Sequence, residues 1–87
     1  MTTIEAAVIK EQDVMFAVVA VKPFVFNSQN CLDDARSAFQ RYFPGMPIVL
    51  MKQDHRGLPE YQGRTDIVTF LSHVHPGNIP WKRFNFN

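Results

Sequence analysis

The chain has one cysteine, Cys31, so no disulfide can form within it, and a lone thiol in 87 residues fits a reducing compartment. No apolar run approaches the roughly 20 residues that a membrane-spanning helix needs. The longest, Val14 to Val21, is eight residues. The start, Met1 to Ala7, has neither a basic stretch nor a long apolar one and does not read as a secretory signal. These absences predict a cytoplasmic protein with no membrane partner. Charge of one sign is also missing: nine Lys and Arg stand against eight Asp and Glu, for a net charge of +1. Without a basic stripe there is little to release counterions from a polyphosphate. The one adjacent basic pair, Lys82-Arg83 between Trp81 and Phe84, is too short to argue for a nucleic-acid partner. No complete catalytic, metal or phosphate motif occurs, so no cofactor, metal or catalytic residue is expected.

What is present is a foldable composition. Apolar residues make up 46% and charged residues 20%, far from the profile of disordered chains. A chain this short supports one core, so residues 1–87 read as a single domain. Phenylalanine is over-used, with eight copies. A small interior cannot hold them all, so some rings should sit at the surface or in a subunit interface, which favours a homodimer.

The run Val14-Met-Phe-Ala-Val-Val-Ala-Val21 has no polar side chain. A strand apolar at every position has to be covered on both faces, so it predicts an internal strand of a layered α/β sheet. Ile4 to Lys10 mixes apolar and charged residues and predicts an edge strand, paired with the run through a turn at Glu11-Gln-Asp13. Pro23 ends the run or carries it on as an edge through Phe24 and Phe26. A helix follows, with capping oxygens from Asn27, Ser28 and Asn30 and with Asp33 and Asp34 in its first turn. Its apolar face is Leu32, Ala35, Ala38, Phe39 and Tyr42, and Pro44-Gly45 stops it. Pro47 to Met51 predicts a second buried strand, parallel to the first through a right-handed crossover. Asp54 to Pro59 is turn chemistry, with a short returning strand at Glu60 to Gln62. Thr65 caps a second helix with Ile67, Phe70, Leu71 and Val74 inward. The tail from Ile79 lies across the core or adds an edge strand. The sum is an α/β domain with a mixed sheet of about four strands and two helices, ordered ββαββα.

Tyr42-Phe-Pro-Gly-Met-Pro47-Ile-Val-Leu-Met51, followed by Gly57, Tyr61-Gln-Gly63-Arg64 and Asp66 to Leu71, resembles the distal half of thioredoxin-like domains. There a helix ends in a glycine shortly before a cis-proline, a strand and its hairpin partner follow, and a glycine precedes the last helix. The resemblance implies a cis bond at Pro47 beside the site used by the redox members. The chain departs from that pattern: it has no Cys-x-x-Cys, lacks the first strand and helix, has a shorter loop before Pro47, and carries Ile48 where threonine is common. Dithiol exchange is therefore not expected.

Four features carry candidate chemistry. Cys31 stands near a helix start, where free backbone N–H groups favour a thiolate, although a lone cysteine commonly serves as a small apolar residue. His73 and His75, two apart, diverge on a helix instead of sharing an ion, and the C-terminal helix dipole is their simpler partner. His55, Arg56, Tyr61 and Arg64 belong to the densest polar stretch, from Asp54 to Arg64. That stretch reads either as a solvated turn or as a small anion site with arginine clamps and His55 as acid or base. Trp81, Phe84 and Phe86 form an aromatic tail that seals the core or docks on another subunit. The expectation is a small non-enzymatic interaction or accessory domain acting as a homodimer. The alternative is a small-molecule or anion-binding enzyme using the Asp54–Arg64 hairpin.

Overall fold

The apolar run forms β2 (Val14–Ala20), the middle strand of a five-stranded sheet. Residues 2–86 are described by a computed structural model. β1 (Thr2–Glu11) pairs antiparallel with β2 through a two-residue turn, with Glu11 opposite Val14. β3 (Ile48–Gln53) lies parallel to β2, with Ala17 opposite Ile48. β4 (Pro59–Gln62) closes the hairpin with β3, and β5 (Lys82–Phe86) pairs antiparallel with β1. The order across the sheet is β4-β3-β2-β1-β5. The expected mixed α/β class holds, with five strands in place of about four. β1 is not an edge, because the tail adds β5 on its outer side.

Alternation along each strand sends side chains to two faces, and both are covered. One face carries Ile4, Ala6, Ala17, Val19, Ile48 and Leu50. It is covered by α1 (Gln29–Gln40), by a 3-10 turn at Pro23–Asn27 and by Phe43. The other carries Ala7, Phe16, Val18, Val49 and Met51 under α2 (Thr65–Ser72) and Ile79. Phe16, 1% exposed, and Leu50, fully enclosed, are among the largest such side chains. Met15 departs from the expected cover at 47% exposure, since it stands next to the turn end of the strand, opposite exposed Lys10.

α1 begins where the Ser28 hydroxyl accepts the Cys31 backbone N–H (3.1 Å). Because Gln29 is its first residue, Asp33 and Asp34 lie beyond the first turn and contribute less to the dipole than expected. Its core-facing stripe is buried Leu32 with half-buried Ala35 and Phe39, continued past the helix end by Tyr42, while Ala38 is exposed. The Gln40 side-chain amide donates to the carbonyls of Phe43 (2.9 Å) and Met46 (2.7 Å), and Gly45 takes a φ of +76°. This turn drops Phe43 into the core at 3% exposure. The bond before Pro47 is trans, and no cis peptide bond occurs among the described residues, which differs from what the thioredoxin resemblance implies. Pro47 nevertheless contributes its carbonyl to the Ala17 N–H (3.0 Å).

α2 starts at Thr65 after Arg64, without a side-chain cap, so Thr65 is its first residue and not its cap. Between β4 and β5 the chain crosses from one sheet edge to the other, about 19 Å at ordinary strand spacing. α2, Ile79 and Trp81 make that crossing, and Trp81 joins the core on that face. Both readings of the tail therefore apply: Ile79 to Trp81 lies over the sheet, and Lys82–Phe86 extends it.

Candidate functional site

The Asp54–Arg64 stretch is folded around Asp54. One of its carboxylate oxygens accepts the backbone N–H groups of Arg56 (2.8 Å) and Leu58 (2.9 Å), and the other lies 3.6 Å from the Arg56 guanidinium. This is a side chain standing in for turn backbone. Gly57, at φ +81°, completes the reversal. Asp54 and Arg56 are thus engaged with each other, and His55 is exposed beside them. Arg64 is paired with Asp66 (2.8 Å) at the start of α2. Tyr61 stands opposite Met51 and points to the α2 face. The four candidate residues do not converge: His55 and Arg56 remain at the turn, Arg64 at the helix start, and Tyr61 under the helix.

Tyr61 is the unusual member. Its hydroxyl is buried and has no hydrogen-bond partner, and burial pushes its phenol above the ordinary value. The ring borders a groove of about 470 Å³ lined also by Leu58, Leu71, His73 and His75. Leu58 is 53% exposed there. His73 Nδ1 lies 2.8 Å from the Thr69 carbonyl, and since a carbonyl only accepts, the proton sits on Nδ1. His75 Nδ1 accepts the Gly77 N–H (3.0 Å), which leaves its proton on Nε2 when the ring is neutral. Each histidine thus has a local structural partner, one at the end of α2 and one in the following 3-10 turn. Among the described residues no group of three or more His, Cys, Asp or Glu is set to hold a metal.

Arg36 does more than its sequence position announces. Its guanidinium donates to the Gln62 side-chain oxygen, to the Gln62 carbonyl (3.4 Å) and, through Nε, to the Ile48 carbonyl (3.4 Å). It ties α1 to β3 and to the β4 edge. Sequence reasoning missed it because an arginine on the flank of an amphipathic helix usually faces water. Its spacing of four from Leu32, on the buried stripe, was the available signal. A shallow cleft of about 340 Å³ beside it is bordered by Gln40, Pro47, Gln62 and Arg64.

Cys31 is a half-buried free thiol in the first turn of α1. Its own N–H is taken by Ser28, so one of the open donors expected to favour a thiolate is already occupied.

The three tail aromatics divide between the two faces. Trp81 packs on the α2 side, its indole N–H donating to the Pro76 carbonyl (3.3 Å). Phe84 and Phe86 pack on the α1 side. Phe84 meets the Phe43 ring edge-on at 5.4 Å, and Phe86 meets Tyr42 at 4.5 Å. All three remain half-buried. The outer side of β5 pairs with no strand among the described residues. β5 is therefore an open sheet edge flanked by partly exposed rings, and Lys82, Arg83 and Asn85 are its exposed side chains. No family model, curated protein or solved structure matches this chain.

Proposed function

We propose that this protein is a non-enzymatic interaction or accessory domain that acts as a homodimer, with the segment from Trp81 to Phe86 at its contact surface. The observation that carries the reading is the open β5 edge, a five-residue strand whose outward-facing backbone groups meet no strand among the described residues, beside the half-buried rings of Phe84 and Phe86. Such an edge is a template for pairing, and half-exposed aromatic rings gain most from being covered. Among the described residues no helix is long and apolar enough to cross a membrane. The free thiol of Cys31 supports a cytoplasmic setting. A distant thioredoxin-like kinship stays part of the proposal, supported by the β3–β4 hairpin and by Gly63 ahead of the last helix, and opposed by the trans bond at Pro47.

Size-exclusion chromatography with light scattering tests the reading. Twice the 10.0 kDa chain mass is expected, and a strict monomer at high micromolar concentration would refute it.

A second reading, a small-molecule site, is favoured by the partnerless Tyr61 hydroxyl beside its groove. A buried polar group without a partner costs stability that a ligand's acceptor or donor would restore. A fragment screen read by amide NMR shifts should then mark Tyr61, Leu71 and His73. Hits confined to other surfaces would remove this reading.

A further inference from the structure

We infer that two copies join through their β5 strands, antiparallel and with Phe84 opposite Phe84 of the second copy, so that the two sheets become one ten-stranded sheet. This rests on the interface reading above and names its geometry. The sheet has two edges, and only one is free to pair. β4 is four residues long, begins with Pro59, which has no N–H to give, and has its Gln62 carbonyl engaged by Arg36. β5 carries no proline, and its outer side pairs with no strand among the described residues.

Charge then selects the register. A parallel pairing would stack Lys82 on Lys82 and Arg83 on Arg83, which directly opposed like charges disfavour. Opposed residues of a regular antiparallel pair share a face, so a symmetric pairing has to centre on Arg83, Phe84 or Asn85. Centring on Arg83 opposes two guanidinium groups. Centring on Asn85 leaves only three residues of each β5 in the pairing. Centring on Phe84 engages all five residues and opposes no like charges. Arg83, whose β1 partner is Glu5, then faces Asn85 of the second copy. Lys82 extends over the Phe86 ring of that copy, a cation–π pairing. The half-buried rings of Phe84 and Phe86 continue across the junction as one aromatic row with Tyr42 and Phe43. The two basic residues that guard this edge against indiscriminate pairing thus also fix its orientation.

The test is a charge substitution at exposed Asn85 in the full chain, read as the dimer dissociation constant by sedimentation. Asn85→Asp retains an acceptor for the Thr3 hydroxyl, which bonds Asn85 at 3.0 Å, and creates two symmetric pairs with Arg83. It should tighten the dimer by about 2- to 30-fold. Asn85→Lys should loosen it by a similar factor, and both effects should shrink at high salt. In a mixed isotope-labelled sample of the unaltered protein, an intermolecular NOE is expected between Arg83 and Asn85. A dimer that neither substitution shifts and that lacks this NOE overturns the β5 geometry while leaving the interface reading in place. A monomer at every concentration overturns both.

Discussion

The β1–β2 turn offers a test in which the sign and size of a stability change come from backbone geometry alone. Glu11 and Val14 are opposed, so the turn has two residues, Gln12 and Asp13, with φ of +49° and +65°. Two successive positive φ values define the mirror-image turn whose twist matches that of the strands. Each left-handed residue with a Cβ costs roughly 1–2 kcal/mol, and a short polar side chain such as Asp tolerates the conformation better than Gln does. Glycine removes that cost but returns about 0.5–1 kcal/mol as extra freedom in the unfolded chain. Replacing the pair by Asn-Gly should therefore stabilise the domain by about 1 kcal/mol, which for this size is a rise in Tm of about 4–8 °C. Urea unfolding followed through the fluorescence of Trp81, the one tryptophan, should show a higher midpoint and an unchanged slope. Gly57→Ala is the mirror control. With a φ of +81° and nothing within 4 Å of the new Cβ, it should lose about 1 kcal/mol through backbone strain alone. An Asn-Gly variant no more stable than the parent, or an alanine at position 57 without cost, would refute the reasoning.

Three further outcomes follow from packing and burial. Gly63→Ala places a Cβ 3.1 Å from the Ile48 carbonyl oxygen and 3.2 Å from the Val49 Cα, backbone atoms that cannot swing aside, so the urea midpoint should fall by the equivalent of about 1–3 kcal/mol. Tyr61→Phe removes a buried hydroxyl without a partner and should raise stability by about 1 kcal/mol at neutral pH. The raised phenol pKa adds a sign: below about pH 10 both states keep the proton, whereas at higher pH the unfolded chain releases it first and stability falls. Unfolding midpoints on either side of that pH should diverge more in the parent than in Tyr61→Phe. Truncation after Pro80 removes β5 and uncovers Ile4 and Phe43, with an expected loss of at least about 3 kcal/mol; an unchanged melting curve would show that the tail does not seal the core.

The centre of the molecule was legible and its periphery was not. Val14 to Val21 announces itself because only a strand covered on both faces can be apolar at every position. Ser28 and the Leu32–Tyr42 spacing mark α1 for equally local reasons. β1 reads as an edge in the sequence because its outer neighbour lies some 80 residues along the chain, and no local pattern reports such a pairing. Phe43 carries no local signal of its burial, which depends on the turn that Gln40 closes. In the candidate site, Asp54 to Pro59 was readable as turn chemistry. Tyr61's occluded hydroxyl and Arg36's hold on the β4 edge arise only when α1 and α2 lie on opposite faces of the sheet.

The pairing of Thr2 with Phe86 has a consequence for the birth of the protein on the ribosome. β1 is made well before β5, so the hairpin with β2 can form early while the other flank of β1 stays bare until β5 emerges. During that interval Ile4 and its neighbours are available to wrong partners, including the same strand of another nascent chain. The gap closes only once Lys82–Phe86 has been made and has reached β1, so the emergence of that segment is the point at which β1 passes from vulnerable to sheltered.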